Sequence, residues 1–83
     1  MKNFEVCIRG VIKEKNKILV CYHKRENFYF FPGGHVRFGE SVREAVLREF
    51  KEELGISVKK FFFIGAMENI YTFKGKIHHE FNF

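Results

Sequence analysis

The 83-residue chain is 46% apolar and 30% charged, with a net charge of +5. That length admits one domain with a small core, since so short a chain buries only about 60% of the surface its unfolded form exposes. The balance excludes a disordered chain, no apolar run approaches the ~20 residues of a membrane span, and two cysteines do not make a disulfide scaffold.

The opening Met1-Lys2-Asn3-Phe4-Glu5 lacks the apolar stretch and cleavage site of a signal peptide, so a reduced, cytoplasmic setting is expected. Phe4, Val6 and Ile8 alternate with Glu5, Cys7 and Arg9, the period of a strand. Val11 and Ile12 extend it past Gly10, where a bulge or close packing is expected. Lys13 to Lys17 is polar and predicts a turn near Asn16. Ile18, Val20 and Tyr22 alternate with Leu19, Cys21 and His23 as a second strand, which Glu26-Asn27 breaks. Phe28-Tyr29-Phe30-Phe31 is a short aromatic strand stopped by Pro32-Gly33-Gly34.

A helix follows. Ser41 and Glu44 form a capping-box pattern. Val42, Ala45, Val46, Phe50 and Leu54 recur at helical spacing, and Gly55 stands where a terminating glycine belongs. Ile56, Val58 and Phe61 to Ile64 predict a further extended segment. Ile70 to Phe73 predicts a strand, Lys74-Gly75 a turn, and Ile77 to Phe83 a last strand. The order predicts an α+β fold whose single helix covers one sheet face. Phe81 and Phe83 make the end apolar, where termini are usually polar, so the fold is expected to continue beyond residue 83.

Charge is unevenly placed. All ten acidic residues are Glu. Residues 34–56 hold Glu40, Glu44, Glu49, Glu52 and Glu53 against Arg37, Arg43, Arg48 and Lys51, a net −1, which leaves +6 elsewhere. The excess fits either solubility or an anionic partner.

On a helix, Glu49, Glu52 and Glu53 fall within about 100° of one face. Like charges at i,i+4 cost ~0.2–0.5 kcal/mol, and the macrodipole disfavours anions in the last turn. A solvated charged face is the bland explanation, with Lys51 and Arg48 offsetting part of the penalty. Three acids at the unfavourable helix end argue instead for a divalent cation such as Mg²⁺, which takes oxygen ligands. Gly33 and Gly34 just upstream let backbone approach an ion or phosphate closely.

The spacing joins these parts. Gly34, five residues, Glu40, seven residues, then Arg48-Glu49-Phe50-Lys51-Glu52-Glu53-Leu54-Gly55-Ile56 resembles the Nudix box, G-x5-E-x7-R-E-U-x-E-E-x-G-U, with Phe50 and Ile56 at the bulky apolar positions. The resemblance implies an α/β/α sandwich with a mixed sheet, of which residues 1–83 form one domain without its C-terminal strands and helix.

It also implies a hydrolase that cleaves a pyrophosphate linkage in a nucleoside diphosphate joined to another moiety. Metal-activated water attacks phosphorus, with Mg²⁺ as cofactor and Mn²⁺ as an alternative ion. Carried over position by position, Glu49, Glu52 and Glu53 are metal ligands, with the Gly33 carbonyl as a further one. Glu49 or Glu53 is the general base. Arg48 orients Glu49 and pairs with Glu40, while Glu44 competes for Arg48. Gly34, Glu40 and Gly55 are structural.

Substrate contacts are assigned to Arg9, Arg25, Arg37, Tyr29 and Glu80, though exposed charge and core packing account equally well for such residues. On a late strand Glu80 faces opposite to His79 and Phe81, so one set alone can reach the metal. Cys7, Cys21, His23 and His35 match no zinc-finger spacing and are expected to be plain thiols and imidazoles. The partner expected is a small nucleotide, with no double-stranded nucleic acid, no membrane, and a homodimer allowed. A catalytically silent nucleotide-binding module, or an inactive fragment of the same fold, is the alternative. Silent modules typically lose box carboxylates, and this chain keeps them all.

Overall fold

A computed structural model describes residues 3–83; Met1 and Lys2, part of the segment read above for a leader, lie outside them. In chain order the elements are β1 (Glu5–Arg9), β2 (Lys13–Glu14), β3 (Lys17–Ile18), β4 (Cys21–His23), β5 (Phe28–Phe30), β6 (Gly33–His35), α1 (Val42–Leu54), β7 (Met67–Phe73) and β8 (Lys76–Asn82). Four strands form a mixed sheet in the order β6-β1-β8-β7, and β2-β3 and β4-β5 are separate two-stranded ribbons. This is the α+β arrangement expected, with α1 against β6 and β1. Among the described residues α1 is the one helix, packed on one side of the sheet.

β1 is the pivot. It runs antiparallel to β6, with Ile8 opposite Gly34 and Cys7 opposite His35. It runs parallel to β8, with Glu5 opposite Glu80 and Cys7 opposite Asn82. Lys74 (φ 52°) and Gly75 (φ 77°) close the β7–β8 hairpin, the left-handed pair that a two-residue turn needs to match strand twist.

α1 follows its sequence signals. The Ser41 hydroxyl accepts from the Glu44 amide at 3.0 Å, and the Glu44 carboxylate accepts from the Ser41 amide at 3.1 Å. Gly55 (φ 68°) ends the helix and donates its N–H to Lys51. Losing the hydroxyl strands a helix-end amide, so Ser41→Ala lowers stability by about 1 kcal/mol; urea denaturation measures it. On the helix side of the sheet, Ala45, Phe50 and Ile8 are buried, while Cys7 is buried on the other face. Gly10 is a close-packing site: a Cβ there would stand 1.8 Å from the Phe50 ring.

Three expectations are corrected. Residues 18–23 are not one strand, because Lys17–Ile18 pairs with β2 while Cys21–His23 pairs with β5. The chain changes partner at Leu19-Val20. Residues 55–66 form no strand: Phe62, Phe63 and Ile64 stay exposed without a neighbouring strand to bond. Finally, Gly33-Gly34 does not merely stop the aromatic strand. It opens β6, because pairing with β1 satisfies its backbone.

Candidate active site

Alternation along the strands sorts the side chains. A Cβ on Gly34 would meet the Glu49 carboxylate at 2.7 Å, so the Ile8–Gly34 pair faces α1. Glu5, Cys7, His35 and Glu80 are out of phase with that pair and face the other side.

On the α1 side, Arg48 organises the carboxylates. Its Nε and Nη2 donate to the two oxygens of Glu40 at 2.6 and 2.9 Å, a bidentate grip. Nη1 donates to Glu49 at 2.7 Å and reaches Glu52 at 3.4 Å. Nη2 also donates to the His35 carbonyl at 3.0 Å, which ties the helix to β6. Glu44 does not compete, since it is spent on the cap. The expected Arg48 pairing with Glu40 and Glu49 is therefore present.

Glu40 also accepts from the Arg37 amide at 3.0 Å. The Arg48 hydrogen bonds, then that amide, pull its carboxyl down to about 2 from an ordinary 4.5. A depressed folded value means the contribution is present above pH ~4.5 and lost as pH falls toward 2. Glu40→Gln should flatten the fall of the unfolding midpoint between pH 4.5 and 2.5, measured by circular dichroism.

Glu53 is held differently. Its carboxylate accepts from the Gly33 amide at 3.3 Å. Burial pushes its carboxyl up, and the neighbouring Glu49 charge adds to this, while the Gly33 amide and Arg9 oppose it. Glu49 and Glu53 thus sit side by side beneath two glycines. Gly34 is bare because Glu49 needs the space. Gly33 has φ +152°, and a Cβ on it would lie 2.0 Å from the Ile8 carbonyl oxygen.

The remaining sequence candidates separate. Arg37 joins the box, its guanidinium 3.9 Å from Glu52. Arg9 lies on the opposite sheet side and donates to the Phe31 carbonyl at 3.3 Å, lining a cleft of about 520 Å³ with Phe31, Met67 and Asn69. Tyr29 packs on Tyr22 in the β4–β5 ribbon, ring centres 4.9 Å apart. Arg25 lies in the turn of that ribbon. Glu80 is not brought to the box; it is buried across the sheet, where the Tyr71 hydroxyl donates to it at 2.8 Å. Sequence reading missed the His35 carbonyl and the Gly33 amide as site groups. Both are backbone atoms, and strand pairing alone reveals them.

A mixed sheet with one capped helix, bearing an arginine-clamped set of carboxylates over a glycine strand, defines an α+β domain built around an acidic site. The NUDIX domain model matches residues 1–82, and the chain belongs to the Nudix family. It is 46% identical over 57 residues to an ADP-ribose pyrophosphatase of Methanocaldococcus jannaschii, covering 65% of this chain and 34% of that protein. It is 31% identical over 72 residues to an 8-oxo-dGTP diphosphatase of Escherichia coli, covering 82% of this chain and 56% of that protein. To a NAD-capped RNA hydrolase, NudC, of Vibrio atlanticus it is 36% identical over 62 residues, covering 72% and 23%. The chain thus spans between about a quarter and about half the length of these curated relatives.

Proposed function

We propose that this domain hydrolyses a pyrophosphate linkage in a nucleoside diphosphate derivative, with Mg²⁺ held by Glu49, Glu52 and Glu53. The observation that carries the reading is the pair of glycine-backed carboxylates. Glu49 fits there because Gly34 lacks a side chain, and Glu53, its carboxyl raised by burial and then by the Glu49 charge, stands beside it. A hard divalent cation suits that all-oxygen donor set. When bound, it supplies charge neutralisation for the phosphates and acidifies a coordinated water.

The protein's own groups do the rest. Arg48 fixes Glu49 and Glu52 through Nη1 while Glu40 fixes Arg48. Of the two candidate bases, Glu53 accepts the water proton. Burial favours its protonated form, whereas one Glu49 oxygen is already engaged by Arg48. The relatives' printed substrates, ADP-ribose and 8-oxo-dGTP, support a nucleotide with a phosphoanhydride as the substrate class. Free Cys7 and Cys21 fit a reduced cytoplasmic setting.

The test is Mg²⁺-dependent release of a nucleoside monophosphate from a panel including both compounds, followed by chromatography. Turnover of at least one member that stops on chelation supports the reading. No turnover of any member, with the fold intact by circular dichroism, overturns it.

A further inference from the structure

We propose that Cys7, His35 and Glu80 form a zinc site on the sheet face opposite α1. The cluster uses none of the box carboxylates, and His35 shares with the box only its backbone carbonyl. The Cys7 sulfur, a ring nitrogen of His35 and a carboxylate oxygen of Glu80 all lie within 4.8 Å of one another. They come from three adjacent strands. Cys7 and His35 are directly paired across β1 and β6, while Glu80 is diagonal to Cys7 across β1 and β8.

The donor set selects the ion. A thiolate, an imidazole and one carboxylate are the ligands of zinc, not of magnesium or calcium, which prefer oxygen alone. Tetrahedral zinc separates its ligand atoms by about 3.5 Å, so atoms now within 4.8 Å of one another must close by up to about 1.3 Å. The exposed His35 ring can supply that movement, its side chain being 63% accessible.

Supporting contacts are already in place. His35 Nε2 lies 2.8 Å from Glu5, and the other Glu5 oxygen lies 2.8 Å from His78. A carboxylate behind a ligand imidazole is the usual orienting device of zinc sites. Glu80, 7% exposed, is held by the Tyr71 hydroxyl at 2.8 Å and by Asn82 at 3.4 Å. Three protein ligands leave a fourth tetrahedral position, which water fills. On binding, the sulfur–zinc bond replaces the sulfur–hydrogen bond, and the proton passes to solvent.

The role that follows is a staple. Among the described residues, the buried apolar side chains are Cys7, Ile8, Ala45 and Phe50, with Pro32. A domain with so little buried is one that a metal can stabilise outright. An ion here ties β6, β1 and β8 together from behind.

Cobalt, a spectroscopic substitute for zinc, tests the site in the full chain. One equivalent of Co²⁺ should give a thiolate charge-transfer band that stoichiometric Zn²⁺ abolishes. Zn²⁺, but not Mg²⁺, should raise the unfolding temperature. His35→Ala, at an exposed position, should remove both effects, and Glu5→Gln should weaken Zn²⁺ about 10–100-fold. Cys21→Ser and Glu53→Gln should leave the band unchanged, separating this site from the other thiol and from the box. Absence of the band, its loss in Cys21→Ser, or its full retention in His35→Ala would overturn the proposal.

Discussion

Glu53→Gln is expected to cost about 100-fold or more in Mg²⁺-dependent nucleotide hydrolysis, because the proton acceptor is lost while the shape is kept. The same change is expected to leave the unfolding temperature unchanged or to raise it. Burial and the Glu49 charge hold the Glu53 carboxyl above its ordinary value. Such a group contributes fully to stability while protonated, at low pH, and loses that contribution as pH rises through its raised folded value. At neutral pH the charged form is therefore a burden, and the neutral amide removes it. Initial rates and thermal melts on one preparation decide the matter. Equal activity would remove Glu53 from the chemistry, and a large drop in melting temperature would make its role structural instead.

Gly33→Ala and Gly34→Ala, each adding one methyl at adjacent positions, are expected to fail in different ways. At Gly33 the new Cβ lies 2.0 Å from the Ile8 carbonyl oxygen, at φ +152°. The obstacle is backbone at the middle of the β1–β6 pairing, which cannot move without breaking it. Strain of ~1–3 kcal/mol adds to a comparable overpacking cost, so about 3 kcal/mol of stability or more should be lost. At Gly34 the obstacle is the end of the Glu49 side chain, 2.7 Å away. That carboxylate can swing aside, so the fold should survive while Mg²⁺ affinity and turnover fall. Chemical denaturation and Mg²⁺ titration, run on both variants, separate the two. Equal stability losses would show that Glu49 is as immobile as the backbone.

α1 and its box were the most legible part of the chain. Ser41, Glu44 and Gly55 act within a few residues of themselves, so their pattern carried directly into the capped helix. The Arg48–Glu40 pair was legible through the family spacing, and Lys74-Gly75 through its own turn chemistry. What stayed hidden depends on pairing between distant segments. Gly33-Gly34 reads locally as a stop, yet β1 makes it a strand. Phe61 to Ile64 reads as extended, yet no strand pairs with it. Glu80 could face either side until its register against Glu5 placed it away from the box.

The register of the central strand also bears on how the chain reaches this shape. Glu5 meets His78 across 73 residues, so the middle of the sheet closes only after nearly the whole chain has been drawn into one loop. Contacts of that separation slow folding, because loop-closure entropy is spent before they form. The box needs no such wait: β6 and α1 lie within 21 residues of each other, from Gly33 to Glu53. An order of events follows, in which the helix and its glycine strand meet early and the β7–β8 hairpin docks last against β1. Substitutions at the β1–β8 seam should then speed unfolding while barely changing the folding rate.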